Sequence, residues 1–220
     1  MRICTRALFV WILGVGLLLG AAGCDSGDEE ETEALLRVIH ATPGLGAIDF
    51  LIDFDLFTRS LSFRGGSPYL QWDPGLRRLE ARMAGDQNAL VTQESILDED
   101  AAYSVLVTSP SDAPDLLVLQ DDRSMPPFGQ ARIRMVHVST SFGRLNITAG
   151  EPGSAPAFDL FLNGRGDTSS IISIDPGTYE FEARPTDGSG GPASATEDIE
   201  AGARYLIVVT NTTVFIVADG

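Results

Sequence analysis

Lysine is absent from this 220-residue chain, and cysteine and histidine occur twice each. All 15 basic residues are arginine, against 31 acidic ones, for a formal charge of −16. A field of that sign argues against nucleic acid and against direct docking on anionic lipid. Two readings of the missing lysine fit: arginine-biased codon usage in a GC-rich genome, or adaptation to salt, where an acidic surface stays solvated. With Cys4 and Cys24 alone, and Cys4 inside the leader described below, no disulfide can staple the folded part. Long apolar runs are also missing. The longest, Ala7 to Gly20, is interrupted by Gly14 and Gly16 and falls short of the roughly 20 residues that a membrane-spanning helix needs. There is no Gly-x-Ser-x-Gly elbow, no phosphate-cradling glycine loop and no His-Glu-x-x-His pair. No cofactor is therefore expected.

What is present begins with an address. Arg2 and Arg6 precede the apolar run, and Ala21-Ala22-Gly23-Cys24 follows it. This is the layout of a secretory signal. Its end is similar to the lipobox of bacterial lipoproteins, with Ala21 where Leu is commonest. That resemblance implies a signal peptide over residues 1–23, lipidation of Cys24, and a protein held on a bacterial membrane in the cell envelope. Competing readings are a free protein cut at an Ala-x-Ala-like site and an uncleaved anchor. Residues 24–33 then form an acidic tether. Asp25 to Glu33 has no apolar content to offset ordering, so disorder is expected there.

The rest of the chain repeats once. Leu36-Arg37-Val38-Ile39-His40 answers Ile133-Arg134-Met135-Val136-His137, Asp73-Pro74-Gly75 answers Asp175-Pro176-Gly177, and the run from Tyr103 to Thr108 answers that from Tyr205 to Thr210. Tyr179, Phe181 and Ala183 alternate with Glu180, Glu182 and Arg184, the period of a strand with one wet face. Tyr205 to Thr210 is apolar on both sides and reads as a strand covered on both faces. Pro in the Asp-Pro-Gly turns presets φ, and Gly accepts a positive one. The spacing gives seven or eight strands per repeat and no helical stripe. The expected fold is all-β, with two tandem immunoglobulin-like antiparallel β-sandwich domains over residues 34–122 and 130–220, joined by a Pro-rich linker at 123–129. Each is expected to fold alone.

The opening run Val38-Ile39-His40-Ala41-Thr42-Pro43, followed by Ile48-Asp49-Phe50-Leu51-Ile52-Asp53, resembles the bacterial domain of unknown function 4397. The Asp-Pro-Gly-Thr-Tyr run at 175–179 and the Ala-Arg-Tyr-Leu-Ile-Val-Val run at 203–209 resemble its later strands. The resemblance implies tandem copies in a secreted or lipid-anchored protein. It carries no established activity and no catalytic residues.

Candidate contact residues are few. His40 and His137 occupy equivalent places, and Asp49 and Asp159 stand after them, so a His–Asp hydrogen bond pinning the first two strands is one reading and a ligand site the other. A single histidine per repeat does not make a transition-metal site, which takes three or four ligands. The interval from His137 to Asp159 is 13 residues longer than that from His40 to Asp49, which reads as an insertion at Ser139 to Ala157. Its Phe142, Arg144 and Asn146 offer aromatic, cationic and amide contacts. Arg165-Gly166-Asp167 matches an adhesion tripeptide but already reads as a turn. The function expected is a non-catalytic binding, adhesion or scaffolding module. Its partners would be the lipid bilayer through acylated Cys24 and another envelope protein or a glycan. The alternative is a carboxylate-based enzyme or carbohydrate-binding accessory protein.

Overall fold

Alternation of apolar and polar side chains, punctuated by Gly and Pro turns, gives strands as the regular elements among the described residues. A computed structural model describes residues 32–109 and 113–219. The signal, Cys24 and most of the tether lie outside the described residues. The first repeat holds β1 (Ala34–His40), β2 (Ile48–Ile52), β3 (Asp55–Leu61), β4 (Leu70–Trp72), β5 (Gly75–Met83), β6 (Ala89–Leu97), β7 (Ala102–Thr108) and β8 (Asp115–Asp121). The second holds β9 (Ala131–His137), β10 (Leu145–Gly150), β11 (Phe158–Leu162), β12 (Ile172–Ile174), β13 (Gly177–Pro185), β14 (Ala193–Ile199), β15 (Arg204–Val209) and β16 (Val214–Asp219).

Each repeat is a sandwich of two four-stranded sheets. In the first, an outer sheet of order β3-β2-β5-β6 faces an inner sheet of order β4-β1-β7-β8. The second repeats this as β11-β10-β13-β14 and β12-β9-β15-β16. The sandwiches are not wholly antiparallel: β1 pairs with β7, and β9 with β15, in parallel. The first strand of each repeat is inserted between β4 and β7, or β12 and β15, and only a parallel partner is available on that side. Gly75, at φ +104°, opens β5 after the Asp-Pro turn as the sequence predicts. A tyrosine closes the corner before each β7-type strand. The Tyr103 hydroxyl accepts the Asp98 N–H at 3.0 Å, and the Tyr205 hydroxyl accepts that of Glu200 at 2.9 Å.

Three cores result. One lies inside the first sandwich around Phe50, Leu79 and Val105, and one inside the second around Phe181, Met135 and Ile207. The third lies between them. Ile39, Ala41, Leu106 and Leu119 of the first inner sheet pack on Val136, Val138, Leu206, Val208 and Phe215 of the second. Thr32–Gly220 is consequently one compact unit. The two sandwiches therefore share a core, besides the one that each encloses. A two-layer sandwich leaves each sheet one wet face, and strands such as Tyr205–Thr210 that are apolar on both faces need a third layer. The other repeat supplies it. Matching strands meet: Ile39 is equivalent to Val136, and Leu106 to Val208. Equivalent residues of the two halves thus enter one shared core.

Candidate functional site

The two histidines are built identically and engage both ring nitrogens locally. His40 Nε2 lies 2.9 Å from the Gly46 carbonyl oxygen, and the Thr42 N–H donates to Nδ1 at 3.2 Å. His137 Nε2 lies 2.8 Å from the Gly143 carbonyl oxygen, and the Ser139 N–H donates to Nδ1 at 3.1 Å. A carbonyl only accepts and an amide N–H only donates, so both rings carry their proton on Nε2 and are neutral. Burial holds both pKa values below the usual histidine value, against the opposing carbonyl hydrogen bonds. The rings tie the β1–β2 and β9–β10 connections to their strands.

Neither ring meets an aspartate in the way the sequence suggested. Asp49 instead accepts the Ser60 N–H at 2.7 Å and the Gly85 N–H at 3.0 Å, joining β3 to the β5–β6 turn of the outer sheet. Burial pushes its pKa up, but the Gly85 and Ser60 hydrogen bonds and the charges of Arg59 and Arg82 together hold it below the usual value. Asp159 is not its counterpart. Strand order makes β10, not β11, equivalent to β2, so the residue matching Asp49 is Asn146. The extra residues therefore lengthen the β10–β11 hairpin rather than the loop after His137. Asp159 is exposed on β11, opposite Thr148. Phe142 packs on the second core, and its ring lies 3.2 Å from where a Cβ on Gly190 would stand. The Arg144 guanidinium stacks 4.1 Å from the Phe161 ring centre, beside Asn146 on the outer face. Arg165 of the adhesion-like tripeptide donates to Asp115 at 2.6 Å and Thr108 at 2.7 Å, across the join between the sandwiches. Asn211, which the sequence reading passed over, accepts from Ser139, Thr140 and Ser141 and shapes the loop after His137.

Two regions concentrate polar chemistry. The first is the seam between the inner sheets. Arg37, 3% exposed, forms an ion pair with Asp219, which also meets Arg204 Nε at 3.4 Å. Arg37 Nε donates to Ser104 Oγ at 2.7 Å, and the hydroxyls of Ser104 and Tyr69 donate to Asp121 at 2.6 and 2.8 Å. Arg37 and Arg123 cover the Tyr69 ring at 4.7 and 4.6 Å. Burial pushes the Asp121 carboxyl upward, opposed by the Ser104 hydrogen bond and the Arg37 charge. The second region is the outer face of the first sandwich. There Glu80, 1% exposed, forms ion pairs with both Arg78 and Arg82. Beside them a cleft of about 490 Å³ is lined by Leu51, Leu56, Arg59, Arg82, Asp86 and Gln87. Phe54, Leu76 and Ile96 are 68%, 62% and 66% exposed on the same sheet and its β2–β3 turn.

The two outer faces have diverged at equivalent positions. Leu51, Leu76 and Ile96 correspond to Thr148, Thr178 and Asp198. Thr178 and Asp198 are hydrogen-bonded at 2.6 Å, whereas Leu76 and Ile96 face each other as an exposed apolar pair.

The family model for a domain of unknown function, DUF4397, matches residues 34–148. The chain belongs to this family. The match covers the whole first sandwich and continues through β9 into β10. No curated protein is significantly similar in sequence. Among solved structures, the Bacillus anthracis TIE protein aligns over 83% of this chain, at 9% identity and a TM-score of 0.31; this chain covers 34% of its length. A family 41 carbohydrate-binding module from streptococcal virulence factors, described in alpha-glucan recognition, aligns over 83% of this chain and 96% of its own, at 14% identity and a TM-score of 0.29. The family 26 module of Eubacterium rectale Amy13K, solved with maltoheptaose, covers 84% and 95%, at 10% identity and a TM-score of 0.27. At these scores the likeness says nothing of what this DUF4397 protein binds.

Exchange of either histidine for Gln is expected to cost about 1–2 kcal/mol, in the range usual for point variants, because Gln retains a donor and an acceptor but not the ring. The unfolded chain takes up protons on these histidines below their ordinary value of 6.5, while the folded chain does so only at lower pH. Their contribution to stability is thus complete above pH 6.5 and is lost as pH falls below it. Thermal melts of wild type and the His40→Gln/His137→Gln double variant between pH 7.5 and 5 test this. The wild type should lose more of its melting temperature over that interval, and parallel curves would contradict the assignment.

Proposed function

We propose that this DUF4397 protein is a lipid-anchored, non-catalytic binding module of a bacterial cell envelope, and that it takes a glycan on the outer face of its first sandwich. The observation that carries the reading is the divergence of the two outer faces. With the inner sheets packed on each other, these are the broad faces left to solvent; the first carries Leu51, Leu76 and Ile96 where the second has Thr148, Thr178 and Asp198, and its cleft of about 490 Å³ exceeds that of about 180 Å³ beside Thr148 and Glu182 on the second. The cleft volume falls within the range of small-ligand sites. Leu51 and Leu56 give it an apolar floor for the C–H face of a sugar ring, while Arg59, Arg82 and Gln87 offer donors at the rim for hydroxyls. The second sandwich, with the same strand order and the same histidine loop, is read as a second copy of the family domain. Its role in this reading is to buttress the first. The lipobox-like run ending at Cys24 supports anchoring of the pair on a membrane, with residues 24–33 as a tether.

The test uses the full chain. Produced in cells, the Cys24→Ser variant should leave the membrane fraction, whereas the Arg59→Ala/Gln87→Ala variant should remain there; a Cys24→Ser chain still membrane-bound after a salt wash would overturn the anchor. Purified in detergent, the wild type should be retained on an array of neutral, amino-sugar and uronate-bearing oligosaccharides, including peptidoglycan strands. The double variant should bind at least about tenfold more weakly, a loss of about 1.4 kcal/mol. A wild type that binds none of these sugars, or a variant that binds them equally well, would overturn the glycan reading.

A further inference from the structure

The seam between the sandwiches carries more positive than negative charge, although the chain as a whole is strongly acidic. Arg37, Arg132, Arg134 and Arg204 line one cavity there with three carboxylates, Asp121, Asp122 and Asp219. The imbalance follows from a broken equivalence. Arg37 and Arg134 occupy matching positions on β1 and β9, and Asp121 and Asp219 end the matching strands β8 and β16. Arg37 crosses the seam to Asp219. The reciprocal pair, Arg134 with Asp121, does not form, because Asp121 accepts from Ser104 and Tyr69 on its own side. Arg134 donates instead to the Gln120 carbonyl oxygen at 2.7 Å and to Thr168 Oγ1 at 3.0 Å, both uncharged. The position matching Ser104 is Leu206, so the second half offers no hydroxyl of that kind. Arg132 donates through Nη1 to Asp122 and Ser124, but its buried Nε has no hydrogen-bond partner among the described residues. The cavity beside these groups measures about 30 Å³, enough for one small occupant.

We propose that this cavity is a binding site for a small monovalent anion of the size of chloride, held by Arg132 and Arg134 of β9 at the seam with the first sandwich. Its charge matches the surplus guanidinium, and Arg132 Nε is a buried donor with no hydrogen-bond partner among the described residues. Asp219 does not repel it strongly, since that carboxylate is shared between Arg37 and Arg204. The cavity exists only when both halves pack and Arg134 also donates to the Gln120 carbonyl oxygen of the first, so an anion seated there stabilises the folded chain by mass action. A water molecule is the competing occupant.

The full chain tests this by thermal melting at constant ionic strength, with chloride replacing gluconate, which is too bulky for the cavity. Chloride should raise the melting temperature saturably, by about 5 °C at high excess. The Arg134→Gln variant keeps a donor for the Gln120 carbonyl but loses the charge, and should lose the rise. Independently, the ³⁵Cl resonance should broaden with wild type and return towards the free width with Arg134→Gln. A wild type indifferent to chloride by both measurements assigns the cavity to water and overturns the proposal. So does a chloride response unchanged in Arg134→Gln. Should Arg134→Gln not fold, wild-type ³⁵Cl broadening that bromide displaces still supports the site, and broadening that bromide leaves unchanged overturns it.

Discussion

Residues 34–122, produced without the second sandwich, are expected to lose cooperative folding, and residues 130–220 to do the same. Cutting at the linker exposes Ile39, Leu106 and Leu119 on one side and Val136, Leu206, Val208 and Phe215 on the other. Each such side chain contributes about 1.5–3 kcal/mol when fully buried. Half of a shared core is therefore worth on the order of 5 kcal/mol to each sandwich, similar to the whole net stability of many small domains. The cut also strands Arg37, which is nearly inaccessible in the intact chain, without Asp219. The intact chain should show a single calorimetric transition whose van't Hoff and calorimetric enthalpies agree. The fragments should show low near-ultraviolet ellipticity and broad melts. Two fragments that each melt sharply near the transition of the intact chain would mean that the third core adds little.

How far this could be read in advance differs between fold and site. Period-two alternation and Asp-Pro-Gly turns mark the strands locally, so β5, β13 and their turns are evident from the chain alone. The double-sided apolar character of Tyr205–Thr210 was legible too, and it contains the third layer in principle. What covers the second face is a long-range choice, and no neighbouring residue encodes it. The parallel pairing of β1 with β7 is equally non-local, since it joins strands 67 positions apart.

The candidate site was less legible for a specific reason. Asp49-Phe50-Leu51-Ile52-Asp53 and Asp159-Leu160-Phe161-Leu162-Asn163 look alike because both are hairpin strands with polar ends. The spacing from the histidine is the better guide. Gly46 and Gly143 each follow their histidine by six positions, and Asp49 and Asn146 each by nine. Counting from the histidine aligns β2 with β10 and moves the insertion into the β10–β11 hairpin. The seam network had no comparable marker. Arg37 and Arg134 stand out as charged residues in apolar strands, but their surroundings come from β4, β8 and β16, which lie far along the chain.

Arg37→Met is expected to destabilise the protein by about 3–5 kcal/mol, the usual cost of removing one partner from a buried ion pair. Methionine preserves much of the volume, so the loss reports charge rather than packing. It leaves Asp219 with Arg204 alone, removes the Nε–H that donates to Ser104 Oγ, and uncovers one face of Tyr69. In a unit of this size the melting temperature should drop by roughly 10 °C. Replacing both charges, as Arg37→Met/Asp219→Leu, should recover most of that loss, because no uncompensated buried carboxylate remains. Denaturant titrations of the two variants and wild type decide the matter. If Arg37→Met lies within about 1 kcal/mol of wild type, the seam tolerates a lone carboxylate, as a wet interface does. If the double variant is no better than the single one, the loss comes from the contacts to Ser104 and Tyr69 rather than from the ion pair.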